Sequence, residues 1–199
     1  IASTVRANPT AGFSIIKWDG DGSAGTLATG LSSVDFIITK CAGQQADWAV
    51  WTSDFSDPTS YLSLNSTSGS SLQPTVISGA PTGGVVPLGS NGNYNTNMIM
   101  YAMSAIPGYS AFGSYTGNGS ADGPFVYTGH SVAWVMIKRT DAADEWIIYD
   151  NERNTFNSRN TVLKAQSSSA EVTNVAFNLD FLSNGFKPLA NDNGFNASG

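Results

Sequence analysis

Apolar residues occur in short runs along this chain, and Gly, Pro, Asn and Asp separate the runs. Residues 34–40 and 48–51 are rich in β-branched and aromatic side chains, and residues 61–64 alternate between apolar and polar positions. No segment keeps apolar residues at the i, i+3, i+4, i+7 spacing of an amphipathic helix over three turns. The pattern therefore predicts an all-β protein built from short strands.

The first half of the chain divides into predicted strands and turns. Residues 13–18 form a strand that ends at the turn Asp19-Gly20-Asp21-Gly22, and residues 43–47 form a hairpin turn. Residues 98–103 are the longest apolar run and predict a buried strand, whereas Pro87 confines residues 85–88 to a sheet edge. We expect residues 1–12 to be an extended arm or linker and residues 65–73 to be a mobile surface loop.

The chain contains an internal repeat. Residues 13–30, FSIIKWDGDGSAGTLATG, have the same build as residues 112–129, FGSYTGNGSADGPFVYTG. The runs that follow also match, at a shift of 98 residues from Val34 to Val132. A repeat of this length is about the size of one small β-sandwich domain. We therefore predict two tandem β-sandwich units of jelly-roll or lectin-like type, at residues 13–107 and 108–199.

The second unit is predicted to lack its last strand. Its strands are expected at residues 112–115, 125–127, 134–138, 146–149, 161–164 and 177–182, with a polar loop at residues 167–174. Residues 94–97 lead into the strand 98–103, whereas residues 194–199 reach the equivalent turn and have no strand after them. A missing strand would expose a sheet edge and an apolar groove. Either the natural chain continues past Gly199, or another segment completes the unit by strand addition.

Composition narrows the possible partners. Charged residues are 12% of the chain, about half of the usual quarter. The formal net charge is −6 and basic residues do not cluster, so we expect no nucleic-acid partner. No apolar run reaches the roughly 18 residues of a membrane span, so we expect no membrane insertion. Surfaces rich in Ser, Thr, Asn and Gly suit virus particles, adhesins and other crowded assemblies. The N-terminus has neither an initiator Met nor a signal-peptide pattern, so we expect a processed piece of something longer.

Several segments carry a family resemblance: FGSYTGNGSADGPFVYTG, AWVMIKRTDAADEWIIYDNERN, LDFLSNGFKP and the closing FNASG. They resemble a duplicated β-domain in tail-fibre-like and other structural proteins of marine tailed bacteriophages. The resemblance covers about residues 5–199, and the second half matches more specifically. It implies a location on the virion surface, other virion proteins as partners and no catalytic residues or cofactor. By analogy with phage fibres it also implies a homo-oligomer, and most often a trimer.

Candidate catalytic and metal-binding residues are few. The single His130 corresponds to Leu31 in the first copy, so we expect it to have an ordinary structural role and not a catalytic one. The single Cys41 has no acid–base partners nearby in sequence, so we expect an inert thiol. Asp19 and Asp21 begin like a calcium loop, but the bidentate carboxylate that should close such a loop is absent. We expect Asp141, Asp144 and Glu145 to be surface charges of a solvated hairpin loop. Asp150 and Glu152 are the carboxylate pair that comes closest to the pattern of a glycoside hydrolase. We favour the structural interpretation, in which both residues belong to a turn after a strand. We expect no catalytic, cofactor or metal site.

Aromatic and turn residues are the remaining candidates for binding. Trp48 and Trp146 occupy equivalent places in the two copies, so core packing is the better interpretation of both. Five residues are expected to face a ligand, and these are Trp18, Asp19, Asp21, Asn118 and Asp122.

The predicted function is that of a non-enzymatic tail-fibre-type adhesion module that binds a host surface glycan or receptor. The alternatives are a capsid or tail decoration protein and, remotely, a glycan-cleaving depolymerase.

Overall fold

The computed structural model describes residues 1–198 and contains two compact units. The first comprises Ile1–Leu64 and Ser70–Ile106, and the second comprises Asn65–Gly69 and the chain from Pro107 onward. The regular secondary structure of both units is almost entirely antiparallel strand, arranged in several sheets. The prediction of an all-β, sandwich-type fold is therefore confirmed. The internal repeat stays a prediction.

The first unit has nine strands: β1 (Ser3–Asn8), β2 (Phe13–Asp19), β3 (Gly25–Ala28), β4 (Phe36–Cys41), β5 (Trp48–Thr52), β6 (Ser60–Ser63), β7 (Ser71–Leu72), β8 (Val85–Leu88) and β9 (Asn97–Met103). Seven of them form one sheet in the order β1-β2-β9-β4-β5-β6-β7, and β3 pairs with β8 in a second sheet. Pro87 lies in this two-stranded sheet, where a missing N–H is tolerated. A 3-10 turn (Pro9–Ala11) joins β1 to β2.

β9 is an interior strand of the large sheet, between β2 and β4, although it comes last in the unit's sequence. Its buried positions alternate, so that Met98, Met100 and Ala102 point into the core. β2 alternates in the same way and contributes Ile16 and Trp18. Side chains from both sheets complete this core, among them Leu27, Ile37, Trp51, Val86 and Leu88, together with Ile77 from the segment before β8. The longest apolar run of the sequence is thus the buried strand that its pattern predicts.

Two expectations for the first half of the chain are wrong. Residues 1–12 are not an arm, because β1 pairs with β2 from Ser3 opposite Trp18 to Asn8 opposite Phe13. Its side chains are mostly exposed, so this edge strand lacks the apolar alternation that would identify it. Residues 65–73 are not one free loop either. β7 pairs with β6, and the Thr67 carbonyl accepts hydrogen bonds from the Asp144 N–H at 2.8 Å and from Lys138 Nζ at 3.2 Å.

The second unit has seven strands and two short helical turns: β10 (Val126–Tyr127), β11 (Trp134–Lys138), β12 (Trp146–Asp150), β13 (Thr161–Lys164), β14 (Val172–Thr173), a 3-10 turn (Val175–Phe177), β15 (Leu179–Leu182), β16 (Gly185–Pro188) and α1 (Asn193–Asn196). They form two sheets, in the orders β11-β12-β13-β14 and β10-β16-β15. Between the sheets lies a core that includes Ile147, Tyr149, Val162, Leu179, Phe186 and Phe195.

The strand predicted at residues 112–115 does not form. In the first unit, β2 pairs with β1 and β9 alone. Within residues 1–198, the second unit has no strand in the place of β1 or β9. Residues 112–115 therefore lack the two neighbouring strands with which β2 forms its ladders. Tyr115 instead packs against the core, with its ring centroid 5.7 Å from that of Phe186 in an edge-on arrangement.

Candidate binding surfaces

The glycine-rich turn after β2 is held from inside by a buried asparagine. Asn93 is 2% exposed, and its Nδ2 donates to Asp21 Oδ1 at 2.8 Å and to the Ser23 carbonyl at 2.9 Å. Its Oδ1 accepts a 2.8 Å hydrogen bond from Trp18 Nε1. One side chain therefore fixes both the turn and the end of β2.

The expectation that Trp18 faces a ligand is wrong. Its side chain is 3% exposed and belongs to the core of the first unit. Its indole N–H, which needs a partner when buried, finds one in Asn93. Because Asn93 lies 75 positions away along the chain, the sequence next to Trp18 gives no sign of this contact.

The second unit has an equivalent arrangement around Asn196, which is completely buried. Its Oδ1 accepts from the Asn118 N–H at 3.0 Å, and its Nδ2 donates to the carbonyls of Ser120 and Ala190 at 2.7 and 2.9 Å. Asn118 Oδ1 accepts from the Ser120 N–H at 3.0 Å, as Asp21 Oδ1 accepts from the Ser23 N–H at 2.9 Å.

Both turns need glycine for the same steric reason. A Cβ on Gly20 would lie 2.0 Å from the Tyr94 carbonyl oxygen, and one on Gly117 would lie 2.3 Å from that of Ala197. Two residues further on, Gly22 donates to the Asn93 carbonyl at 2.7 Å and Gly119 donates to that of Asn196 at 2.9 Å. Each turn is therefore pressed directly against the chain that carries its asparagine.

The other four predicted ligand-facing residues are exposed on these turns. Asp19 and Asp21 flank Gly20, and Asn118 and Asp122 lie in the turn of the second unit. Asp122 forms an ion pair with Lys187 at 2.5 Å, and the hydrogen bond and charge of that lysine lower the pKa of the aspartate. The structure leaves these four side chains accessible, and their role in ligand binding stays a prediction.

The residues considered for catalysis have structural partners. Cys41 is buried in the first core, and His130 Nδ1 lies 3.1 Å from the Thr128 carbonyl. Asp150 accepts hydrogen bonds from the backbone N–H groups of Glu152 and Arg153 and forms an ion pair with the Arg153 guanidinium. Partial burial opposes its ionisation, but the hydrogen bonds and charge of Arg153 outweigh this and lower its pKa.

A lowered pKa keeps Asp150 ionised at neutral pH, and the proton donor in glycoside hydrolysis needs the opposite shift. Within residues 1–198, no three His, Cys, Asp or Glu side chains are grouped as metal ligands.

The remaining aromatic side chains differ in exposure. Trp146 is 3% exposed, as core packing requires, whereas Trp134 is 56% exposed on β11. Phe125 and Tyr127, at either end of the short strand β10, are 50% and 70% exposed. The sequence did not indicate that these three side chains are exposed, because a β-strand with one missing neighbour has the same sequence pattern as a complete one.

The free edge of β11 is the second candidate surface. β11 pairs with β12 on one side, and none of the described strands pairs with its other side. In the first unit, β4 lies between β5 and β9. An uncovered edge presents unpaired N–H and C=O groups that can bind a further strand.

Comparison with protein families gives one match. The model of a family described as Domain of unknown function (DUF7483) matches residues 1–199. The chain belongs to this family. No curated protein and no solved structure matches it. As for membranes, none of the helices among residues 1–198 is long and apolar enough to span one.

Proposed function

We propose that this DUF7483 protein is a non-enzymatic structural protein of a tailed phage virion, where it serves as a tail-fibre-type module for host adhesion. The observation that carries the proposal is the pair of exposed polar turns, each held by a buried asparagine. The resemblance to virion proteins and the low charged fraction of 12% support the same class.

The turns suit recognition of a hydroxyl-rich surface such as a host glycan. Asp19, Asp21, Asn118 and Asp122 offer carboxylate and amide groups, which form hydrogen bonds with sugar hydroxyls. Because Asn93 and Asn196 already fix the two turns, a ligand would not have to order them on binding. Preorganisation of this kind raises affinity by lowering the entropy lost on association.

The partners under this proposal are other virion proteins and a host surface glycan or receptor. By analogy with phage fibres, the assembly is a homotrimer on the particle surface. Such an assembly would present three copies of each turn, and several weak contacts to one surface would then add up to firm attachment.

Binding of the purified full chain to host cells or to their extracted polysaccharide tests the proposal. We expect combined Asp19→Ala and Asp122→Ala substitutions to weaken binding, since both side chains are exposed, while thermal stability changes little. Asp54→Ala, at an exposed aspartate outside the turns, is the matched control. Equal binding by all three proteins would contradict the adhesion role. Release of reducing ends from the polysaccharide would overturn the non-enzymatic assignment.

The free edge of β11 favours a second function, that of a capsid or tail decoration protein that attaches through this edge. Gold-labelled antibody against the chain, applied to intact virions, separates the two functions. Label at the fibre tips supports adhesion, and label over the shell supports decoration. Virions without label would refute both.

A further inference from the structure

Four strand pairings of the second unit have counterparts among the strand pairings of the first, and the β15–β16 pairing does not. The β11–β12 ladder runs from Trp134 opposite Asp150 to Lys138 opposite Trp146, which is the β4–β5 register, Phe36 opposite Thr52 to Lys40 opposite Trp48, moved by 98 positions. The pairs β12–β13, β13–β14 and β10–β16 occupy the places of β5–β6, β6–β7 and β3–β8, although β13, β14 and β16 are shifted by 101 positions and not by 98.

Three ladders of the first unit have no counterpart among the described residues of the second. These are β1–β2, β2–β9 and β4–β9, and all three involve β2 or β9. The place next to β11 therefore corresponds to the one that β9 fills next to β4.

The backbone of β11 is set up to accept a strand at this place. The Asn151 N–H donates to the Ala133 carbonyl at 3.0 Å, so this carbonyl points toward β12 and the N–H of the same peptide group, that of Trp134, points to the free side. Successive residues of an antiparallel strand direct their N–H and C=O groups to alternate sides. Trp134, Met136 and Lys138 therefore direct theirs to the free side.

The side chains of β11 are also less covered than those of β4. Ile37 on β4 is completely buried, whereas Val135, at the corresponding position of β11, is only half-buried. Trp134 is 56% exposed, whereas its counterpart Phe36 is half-buried. Both faces of a strand next to β11 would therefore find apolar surface to cover.

The chain around α1 does not fill the vacant place. In the first unit, the segment that carries Asn93 is bonded to Gly22 and does not obstruct β9. Asn196 forms the same bond to Gly119, so the segment that contains α1 occupies the corresponding position. Phe195 packs against Tyr149, with ring centroids 6.1 Å apart, in the interior of the unit.

We propose that the free edge of β11 is an acceptor site for one extended peptide segment, which binds antiparallel with the residue pattern of β9. The pattern is NMIMYAM, with apolar side chains at the three inward positions Met98, Met100 and Ala102. In the β4–β9 register, the residue equivalent to Met103 lies opposite Trp134, and the residue equivalent to Ile99 lies opposite Lys138. The site is separate from the polar turns and does not depend on their function.

The test uses a labelled synthetic peptide of residues 95–105 and the full-length chain. We expect saturable binding by fluorescence anisotropy, and no binding of a control peptide with Met98→Lys and Met100→Lys. Met136→Pro should weaken binding about tenfold or more, because it removes one N–H from the free edge and adds a steric conflict. Met136→Val keeps that N–H and is the matched control.

If Met136→Pro unfolds the second unit, hydrogen exchange measured on the wild-type chain provides an independent test. In the wild-type chain, saturating peptide should slow exchange of the Met136 and Lys138 amides and leave those of the exposed strand β14 unchanged. Absence of binding, or binding without this protection, would overturn the proposal. A concentration-dependent dimer that protects the same amides without peptide would also overturn it, and would assign the edge to a second copy of the chain.

Discussion

Replacement of Asn93 by alanine tests whether the buried amide holds the first turn. The change removes three hydrogen bonds of 2.8–2.9 Å, to Asp21, to Ser23 and from Trp18. Each is worth about 0.5–1.5 kcal/mol net, and a buried donor left without a partner costs about 1–3 kcal/mol. The Trp18 indole N–H would become such a donor. We therefore expect Asn93→Ala to lower the free energy of unfolding of the first unit by about 3–5 kcal/mol.

The measurement is urea unfolding followed by circular dichroism and tryptophan fluorescence, with the two units fitted as separate transitions if they separate. In a unit of about 100 residues, each kcal/mol corresponds to about 4–8 °C in Tm, so thermal scans should show the loss clearly. Asn95→Ala, at an exposed position nearby, is the control and should change stability by less than about 0.5 kcal/mol.

Two further substitutions sharpen the test. Asn93→Asp keeps an acceptor for Trp18 but removes both donors and places a carboxylate beside Asp21, so it should destabilise at least as much as alanine at pH 7. Asn196→Ala removes the corresponding three bonds and should lower the second transition instead. A loss below about 1 kcal/mol for Asn93→Ala would refute the reasoning, because a solvated amide would then be the better description.

Three other perturbations follow from burial, backbone geometry and charge. Trp146→Ala should cost about 3–5 kcal/mol in urea unfolding, whereas Trp134→Ala should cost far less, and similar losses would contradict their different exposure. Gly84→Ala should lower Tm much more than Gly83→Ala, since both have positive φ but only at Gly84 would a Cβ meet a backbone oxygen, that of Leu31 at 1.7 Å. The folded-state pKa of Asp150 is lowered, so its stabilisation is present above the unfolded pKa of about 3.9 and is lost as pH falls through the folded pKa. The stability gap between wild type and Asp150→Asn should accordingly be larger at pH 7 than at about pH 2, and a gap independent of pH would count against the ion pair.

The sequence pattern predicts strands well where a strand is paired on both sides and buries its apolar side chains. β4, β5, β9 and β12 all lie where apolar and β-branched runs place them. The pattern fails at the margins of the sheets for physical reasons. β1 is an edge strand with exposed side chains, so its formation depends on the free hydrogen-bonding groups of β2 rather than on its own hydrophobicity.

The candidate surfaces were only partly predictable. Gly-rich turns can be recognised from the sequence, and the four turn residues predicted to be exposed are at the surface: Asp19, Asp21, Asn118 and Asp122. The partner that buries Trp18 lies 75 positions away, so local reasoning placed this side chain on the wrong side of the sheet. The exposure of Trp134 is likewise a property of the missing neighbour and not of the residue.

The place of β9 between β2 and β4 has a consequence for how the chain folds. During synthesis, the β1–β2 hairpin and the β4–β7 meander emerge first, and the strand that lies between them emerges last. Until Met103 has left the ribosome, β2 and β4 have no strand to join them, and the nascent unit has two exposed edges. Such high contact order is typical of domains that fold in milliseconds to seconds. Chaperone demand during translation should therefore peak just before this strand appears.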